Sequence, residues 1–145
     1  MKRILQKQLG ELLIDSGLIT QNQLEESLEE QVESGKLLGQ ILVAKGYVSE
    51  EAIAQTLTVQ YGFPYLPLDN YEVDPKVAKM IPEAVAKQYG LIAVDFVGHT
   101  LTVAMSNPLN RQAIEDVEML THYGIQVFVS TATSITNAIK NIYKT

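Results

Sequence analysis

Residues 7–31 recur, shifted by 29 positions, as residues 36–60: KQLGELLIDSGLITQNQLEESLEEQ is followed by KLLGQILVAKGYVSEEAIAQTLTVQ. Lys7, Leu9, Gly10, Leu13, Gly17, Leu28 and Gln31 return as Lys36, Leu38, Gly39, Leu42, Gly46, Leu57 and Gln60. Ile14/Val43, Ile19/Val48, Thr20/Ser49 and Leu24/Ile53 are conservative replacements. A repeated unit must bury its apolar face against something. Two copies are fewer than the three or more that an open solenoid needs, so the pair predicts a compact helical lobe. A duplicated surface also suits a ligand with two like halves.

Each copy reads as a helix–turn–helix. Leu9, Leu12 and Leu13 recur at helical spacing, and Gly17 follows as a residue able to take positive φ. Thr20 is an N-cap with Gln23 as its capping-box partner, and a longer helix carries Leu24, Leu28 and Gln31 to about Ser34-Gly35. The second copy repeats this grammar: a helix over 37–44, Gly46 as the stop, Ser49 as the N-cap, and a helix to about Tyr61 ended by Gly62. Pro64 and Pro67 then impose extended backbone, so a boundary is expected at 62–68, between a helical lobe (1–62) and a second lobe (63–145).

The second lobe predicts α+β architecture. Asp74-Pro75 opens a short helix to about Ile81, and Pro82 restarts another through Gln88. Two β-like runs, 91–97 and 100–106, flank Gly98-His99 as a two-residue hairpin. A helix is expected over about 110–122, stopped by Gly124, then a strand over 125–130 and a last helix capped by Ser134 and running to Tyr143. The whole chain is therefore expected to be α+β: two helix–turn–helix repeats, then a small α+β lobe with a sheet of about three strands.

Composition narrows the function. The 145 residues are 46% apolar, as in a folded globular chain. Charged and polar residues interrupt any secretory signal at the N-terminus, and no apolar run reaches the roughly 20 residues of a membrane span. There is no cysteine, which is compatible with a cytoplasmic location. The net charge of −6 and the lack of a basic stripe speak against DNA binding. Glu25, Glu26, Glu29, Glu30 and Glu33 are expected to form a solvated helix face.

Signals for catalysis are missing. Gly35-Lys36 is followed by Leu37 and not by a hydroxyl residue, with no glycine at position 30, so no P-loop is present. His99 and His122 are isolated and read as a turn residue and a helix-end residue, which leaves no metal cluster. Asp95 has no acid–base partner in its strand, and no Gly-x-Ser-x-Gly elbow occurs. The chain is expected not to be an enzyme and to need no cofactor. Gly17 and Gly46 are explained as helix stops. Gly10 and Gly39 cost helix stability, which implies either tight helix–helix packing or a ligand resting on the backbone. Gln31 and Gln60, each three residues past a leucine, offer amides suited to the edge of a guanine.

At these positions the sequence resembles the MshEN domain, the N-terminal domain of type II secretion and type IV pilus assembly ATPases. That family carries two 24-residue motifs, roughly Arg-Leu-Gly-x-x-Leu-Leu-x-x-Gly-Leu-Ile-x4-Leu-x3-Leu-x2-Gln, with a five-residue spacer; here they run over 8–31 and 37–60 with VESGK between. YGFPYLPL, IPEAVAKQYGLIAV, LTVAMSNPLN and ATSITNAIKNIY are similar to the same family. The resemblance implies a regulatory domain that binds cyclic di-GMP. Gln8, Leu9, Gly10, Leu13, Ile14, Gly17, Leu18, Ile19, Leu24, Leu28 and Gln31 would serve one half of the ligand. Leu37, Leu38, Gly39, Leu42, Val43, Gly46, Val48, Ile53, Leu57 and Gln60 would serve the other. The motif's arginine is Gln8 in one copy and Leu37 in the other, and Lys7 and Lys36 are candidates for the phosphate contacts. The alternative is a docking module, with the ATPase core or the inner-membrane platform protein of the secretion or pilus machinery as its partner.

Overall fold

The structure is a computed structural model that describes residues 2–144, with side chains from Leu9 onward. Lys7 and Gln8, as side chains, lie outside that range. The chain is α+β, with eight α-helices and a three-stranded mixed sheet among the described residues. Four helices come first: α1 (Lys2–Asp15), α2 (Gln21–Ser34), α3 (Leu38–Ala44) and α4 (Glu50–Tyr61). Their starts follow local chemistry. Thr20 and Gln23 close a reciprocal capping box on α2, and the Ser49 hydroxyl accepts from the Ala52 N–H at 3.1 Å. Gly17 (φ 76°) and Gly46 (φ 78°) turn the chain in the left-handed region between the helices of each copy. Leu13, Leu24, Leu42 and Leu57 are buried at the centre of the four-helix core.

A polar clasp holds two of these helices together. Lys45 reaches Glu30 at 3.0 Å and Glu26 at 3.4 Å, and the Tyr47 hydroxyl donates to Glu26 at 2.7 Å. Two members of the acidic run expected to be solvated thus tie α2 to the turn after α3. The Tyr47 hydrogen bond, aided by Lys45, holds the Glu26 carboxyl below its usual range, while the Glu30 hydrogen bond raises Lys45.

After Gly62 the chain runs along the sheet edge, where Leu66 N–H donates to Val129 O at 2.9 Å and Val129 N–H to Pro64 O at 2.8 Å. Short helices α5 (Pro75–Ala78, shorter than the expected span to Ile81) and α6 (Glu83–Tyr89) lead into β1 (Leu91–Val97) and β2 (Thr100–Met105). These two strands pair antiparallel about Gly98 (φ 63°) and His99. Then follow α7 (Arg111–Thr121), β3 (Gly124–Val129), parallel to β2, and α8 (Ala132–Ile142). One face of the sheet packs Leu91, Ala93, Leu101 and Val103 against Ala113 and Val117 of α7. The other packs Ile92, Val94 and Ala104 against Ile135 and Ile139 of α8. A bulge between Ala93 and Asp95 shifts the alternation, so Phe96 and not Asp95 joins the α7 face.

Two expected caps are corrected. The α7 helix ends on His122 (φ 63°) and not on Gly124, which is already paired with Thr100. Only two residues separate helix and strand, so the reversal falls on His122. The α8 helix is capped by Thr131, whose hydroxyl accepts from the Ser134 N–H at 3.3 Å, and Ser134 lies inside the helix. Ser130 N–H is still bonded to Met105 O, so the helix begins as soon as the chain leaves the sheet.

Candidate functional site

The helical half and the sheet meet along a cleft with a cavity volume of about 30 Å³, room for one or two waters. Leu37, Gly39, Val43 and Ile53 line one side, and Ser106, Asn110 and Thr131 the other. Glu50, at the start of α4, crosses the junction: its carboxylate accepts from the Thr133 N–H at 2.6 Å and from the Thr133 hydroxyl at 2.7 Å. Val129 of β3 lies within the core of the four helices. Leu37, where the paired motif has arginine, packs over Gly90, its Cδ1 lying 2.9 Å from where a Cβ on that glycine would be.

The motif residues divide by burial. Leu9, Gly10, Leu13, Ile19, Leu24, Leu38, Leu42, Ile53 and Leu57 are buried. Ile14, Leu18, Leu28, Gln31, Leu37, Gly39, Val43 and Val48 are half-buried, while Gly17, Lys36, Gly46 and Gln60 are exposed. The even leucine pattern thus separates into a floor that holds the helices together and a partial surface that an incoming molecule can touch.

The two copies superimpose in logic and differ in detail. A Cβ on Gly10 would lie 2.3 Å from Leu24 Cδ1, and one on the equivalent Gly39 would lie 3.8 Å from the equivalent Ile53 Cδ1. The Gln31 amide donates to Lys36 O at 3.1 Å and ties the spacer down. The α2 helix runs to Ser34, whereas α4 stops at Tyr61, so Gln60 is the penultimate residue of its helix and is exposed.

Several cleft residues were not singled out from sequence. Asn110 is 3% exposed, and its side-chain oxygen accepts from the Ala113 N–H at 3.2 Å. Tyr89, also on the cleft, donates to Asp116, and burial pushes its hydroxyl up to about 12. The helix expected over about 110–122 and the hydroxyl-rich run 130–134 could have pointed to these walls, but not to what they face. Among the described residues, no group of three or more histidine or acidic side chains could hold a metal, and no helix is long and apolar enough to cross a membrane. The arrangement offers apolar contact, a close backbone approach at Gly39, and neutral amide and hydroxyl groups.

The family model of the MshEN domain matches residues 61–145, beginning one residue after the closing Gln60 of the second motif. The chain is 37% identical over 135 residues to the type IV pilus assembly ATPase PilB of Myxococcus xanthus, covering 93% of this chain and 24% of that protein. It is 35% identical over 139 residues to PilB of Thermus thermophilus, covering 94% and 16%. It thus spans a quarter or less of the length of these curated relatives. Among solved structures, MshE with cyclic di-GMP (cdg) aligns with a TM-score of 0.67 and 28% identity over 93% of this chain and 98% of that one. The N-terminal domain of XpsE aligns with a TM-score of 0.71 over 94% of each chain; at 22% identity it shows the fold alone.

Proposed function

This chain belongs to the MshEN domain family, and on that premise we propose that it is a non-enzymatic regulatory domain that binds cyclic di-GMP through its duplicated motifs. The observation that carries the reading is the alignment with MshE bound to that nucleotide across 93% of this chain. The half-exposed and exposed motif residues are the contact surface: Ile14, Leu18, Leu28 and Gln31 from the first copy, and Leu37, Gly39, Val43, Val48 and Gln60 from the second. The buried leucines set the floor beneath them. Apolar side chains carry flat bases, and a few amides fix their orientation. Lys7 and Lys36 are the candidate phosphate partners, acting as point charges where a bidentate arginine is missing. By the same reading the domain acts in the cytoplasm, regulating a secretion or pilus ATPase.

Titration calorimetry of the chain with cyclic di-GMP tests this. Saturable heat with a raised Tm is expected, because a ligand that binds only the folded state stabilises it. No heat and no Tm shift at high ligand concentration would sink the reading. Replacing both Lys7 and Lys36 with alanine should weaken binding and steepen neither stability nor fold; unchanged affinity would remove the lysines from the site. A docking role, with the ATPase core or the inner-membrane platform protein as partner, is favoured by Leu37, which packs against Gly90 and brings no charge to the position of the motif arginine. Saturable binding of purified ATPase core or platform protein, with no response to the nucleotide, would support that role.

A further inference from the structure

We infer that the two copies of the repeat are used unequally: the second makes most of the contacts to the ligand, and the first serves chiefly as a brace that holds the helices together. This rests on the cyclic di-GMP reading for the identity of the ligand, a molecule with two purine nucleotide halves. Three observations carry it.

The first is the pair of glycines. Gly10 is needed by packing alone, since a Cβ there would lie 2.3 Å from Leu24 Cδ1 and 2.9 Å from its Cδ2, and Leu24 is itself 1% exposed with little room to move. At Gly39 the nearest atom to a Cβ is Ile53 Cδ1 at 3.8 Å, ordinary van der Waals contact. Internal packing therefore gives no reason to prefer glycine over alanine at position 39, where glycine lowers helix stability. What needs the missing methyl there is a molecule coming from outside, and Gly39 lies on the wall of the cleft.

The second is where the motif residues point. Leu37, Gly39, Val43 and Ile53 of the second copy line the cleft, while Leu9 is the one first-copy motif residue there among the described residues. The third is the glutamines. The Gln31 amide is committed to the Lys36 carbonyl at 3.1 Å, whereas Gln60 is exposed at the end of α4, on the same helix face as Ile53 and Leu57. One nucleotide half is thus held by the second copy, its base against Leu37, Val43 and Ile53, with Gln60 one to two helical turns further along. The other half takes fewer contacts.

Four variants decide the matter, each measured by thermal melting and by calorimetry with cyclic di-GMP. Gly10→Ala should lower Tm by several degrees, and Leu24→Ala in that background should recover more than its own cost predicts, because it clears the collision. Gly39→Ala should leave Tm unchanged or raise it, yet weaken cyclic di-GMP binding by about tenfold or more. Gln31→Ala should lower Tm and weaken binding several-fold less than Gln60→Ala does. Gln60→Ala should leave Tm unchanged and weaken binding. Equal affinity losses at the paired positions would overturn the inference, as would Gly39→Ala costing as much Tm as Gly10→Ala. If the wild-type chain does not bind cyclic di-GMP at all, the ligand reading and the ligand half of this inference both fail. The brace is still decided by the Tm contrast between the two glycines, and rescue by Leu24→Ala keeps it open to refutation even if Gly10→Ala alone does not fold.

Discussion

Glu50→Ala tests how the helical half is held against the sheet. The Glu50 carboxylate spans 83 residues of sequence to accept from the Thr133 N–H at 2.6 Å and from its hydroxyl at 2.7 Å. It also places negative charge at the N-terminus of the eleven-residue α8, where the helix dipole favours it. A hydrogen bond to a charged group contributes about 1.5–3 kcal/mol when well sheltered. Glu50 is half-buried, so solvent screening reduces both bonds. The pair together should contribute about 2 kcal/mol, and for a domain of this size the loss lowers Tm by roughly 6–10 °C. Glu50→Gln keeps one acceptor oxygen and should lose about half as much. Thr133→Ala removes the hydroxyl contact but leaves the N–H, so the double-mutant cycle with Glu50→Ala should give a coupling of about 1 kcal/mol. Chemical denaturation supplies these values, and hydrogen exchange at the Thr133 amide should quicken in Glu50→Ala. A loss below about 0.5 kcal/mol with no coupling would refute the reasoning, since surface substitutions without such a role fall within that range.

Ser27 is buried, and among the described residues its hydroxyl has no hydrogen-bond partner, whereas the equivalent Thr56 hydroxyl donates to Ala52 O at 2.8 Å. Ser27→Ala should therefore stabilise the chain by about 1 kcal/mol in urea unfolding, and a loss would mean the hydroxyl is satisfied in solution. Tyr89 and Tyr143 are both pushed up to about 12, first of all by burial. A raised tyrosine contributes stability that is present below its unfolded value of 10.0 and is lost as pH rises through that value toward about 12. Ultraviolet titration should show both ionising late, together with alkaline unfolding. Tyr143→Phe, which strips hydrogen bonds to Ala78 O at 2.7 Å and Ile81 O at 2.6 Å, should destabilise by about 1–2 kcal/mol at neutral pH; no loss would remove it from the tie between α8 and the turn after α5. On the acid side, the lowered Glu26 contributes stability that is present above the ordinary carboxyl value of 4.5 and is lost as pH falls through the depressed folded value. Tyr47→Phe should flatten that acid limb, and an unchanged limb would show that the clasp on Glu26 does not persist in solution.

Much of the local structure was legible because its causes lie within a few residues. Thr20 with Gln23, Ser49, and Asp74-Pro75 start helices where the sequence places them. Gly17, Gly46 and Gly62 turn the chain where a left-handed residue is needed. The caps that went astray were decided by the sheet. His122 took the reversal expected of Gly124 because β3 had to begin opposite Thr100, and Thr131 took the cap expected of Ser134 because Ser130 was still held by Met105. The candidate site was legible as a set of positions and not as a surface. Leucine spacing shows which side chains share a helix face, but it does not say which of them end beneath another helix. Leu13 and Leu57 went to the core, whereas Val43 and Leu37 remained at the cleft.

The sequence by itself determined the duplicated helical unit, the α+β class and the kinship with the MshEN domain, because periodicity, caps and motif spacing are local properties that survive without knowledge of the fold. The tertiary structure alone decided that the two copies are unequal. Gly10 lies beneath Leu24, while Gly39 opens onto a cleft that exists only where Glu50 meets Thr133 and Leu37 meets Gly90. Those contacts join residues far apart in the chain, and their distances are set by how whole helices dock on the sheet, so a repeat identical in pattern acquires two different environments.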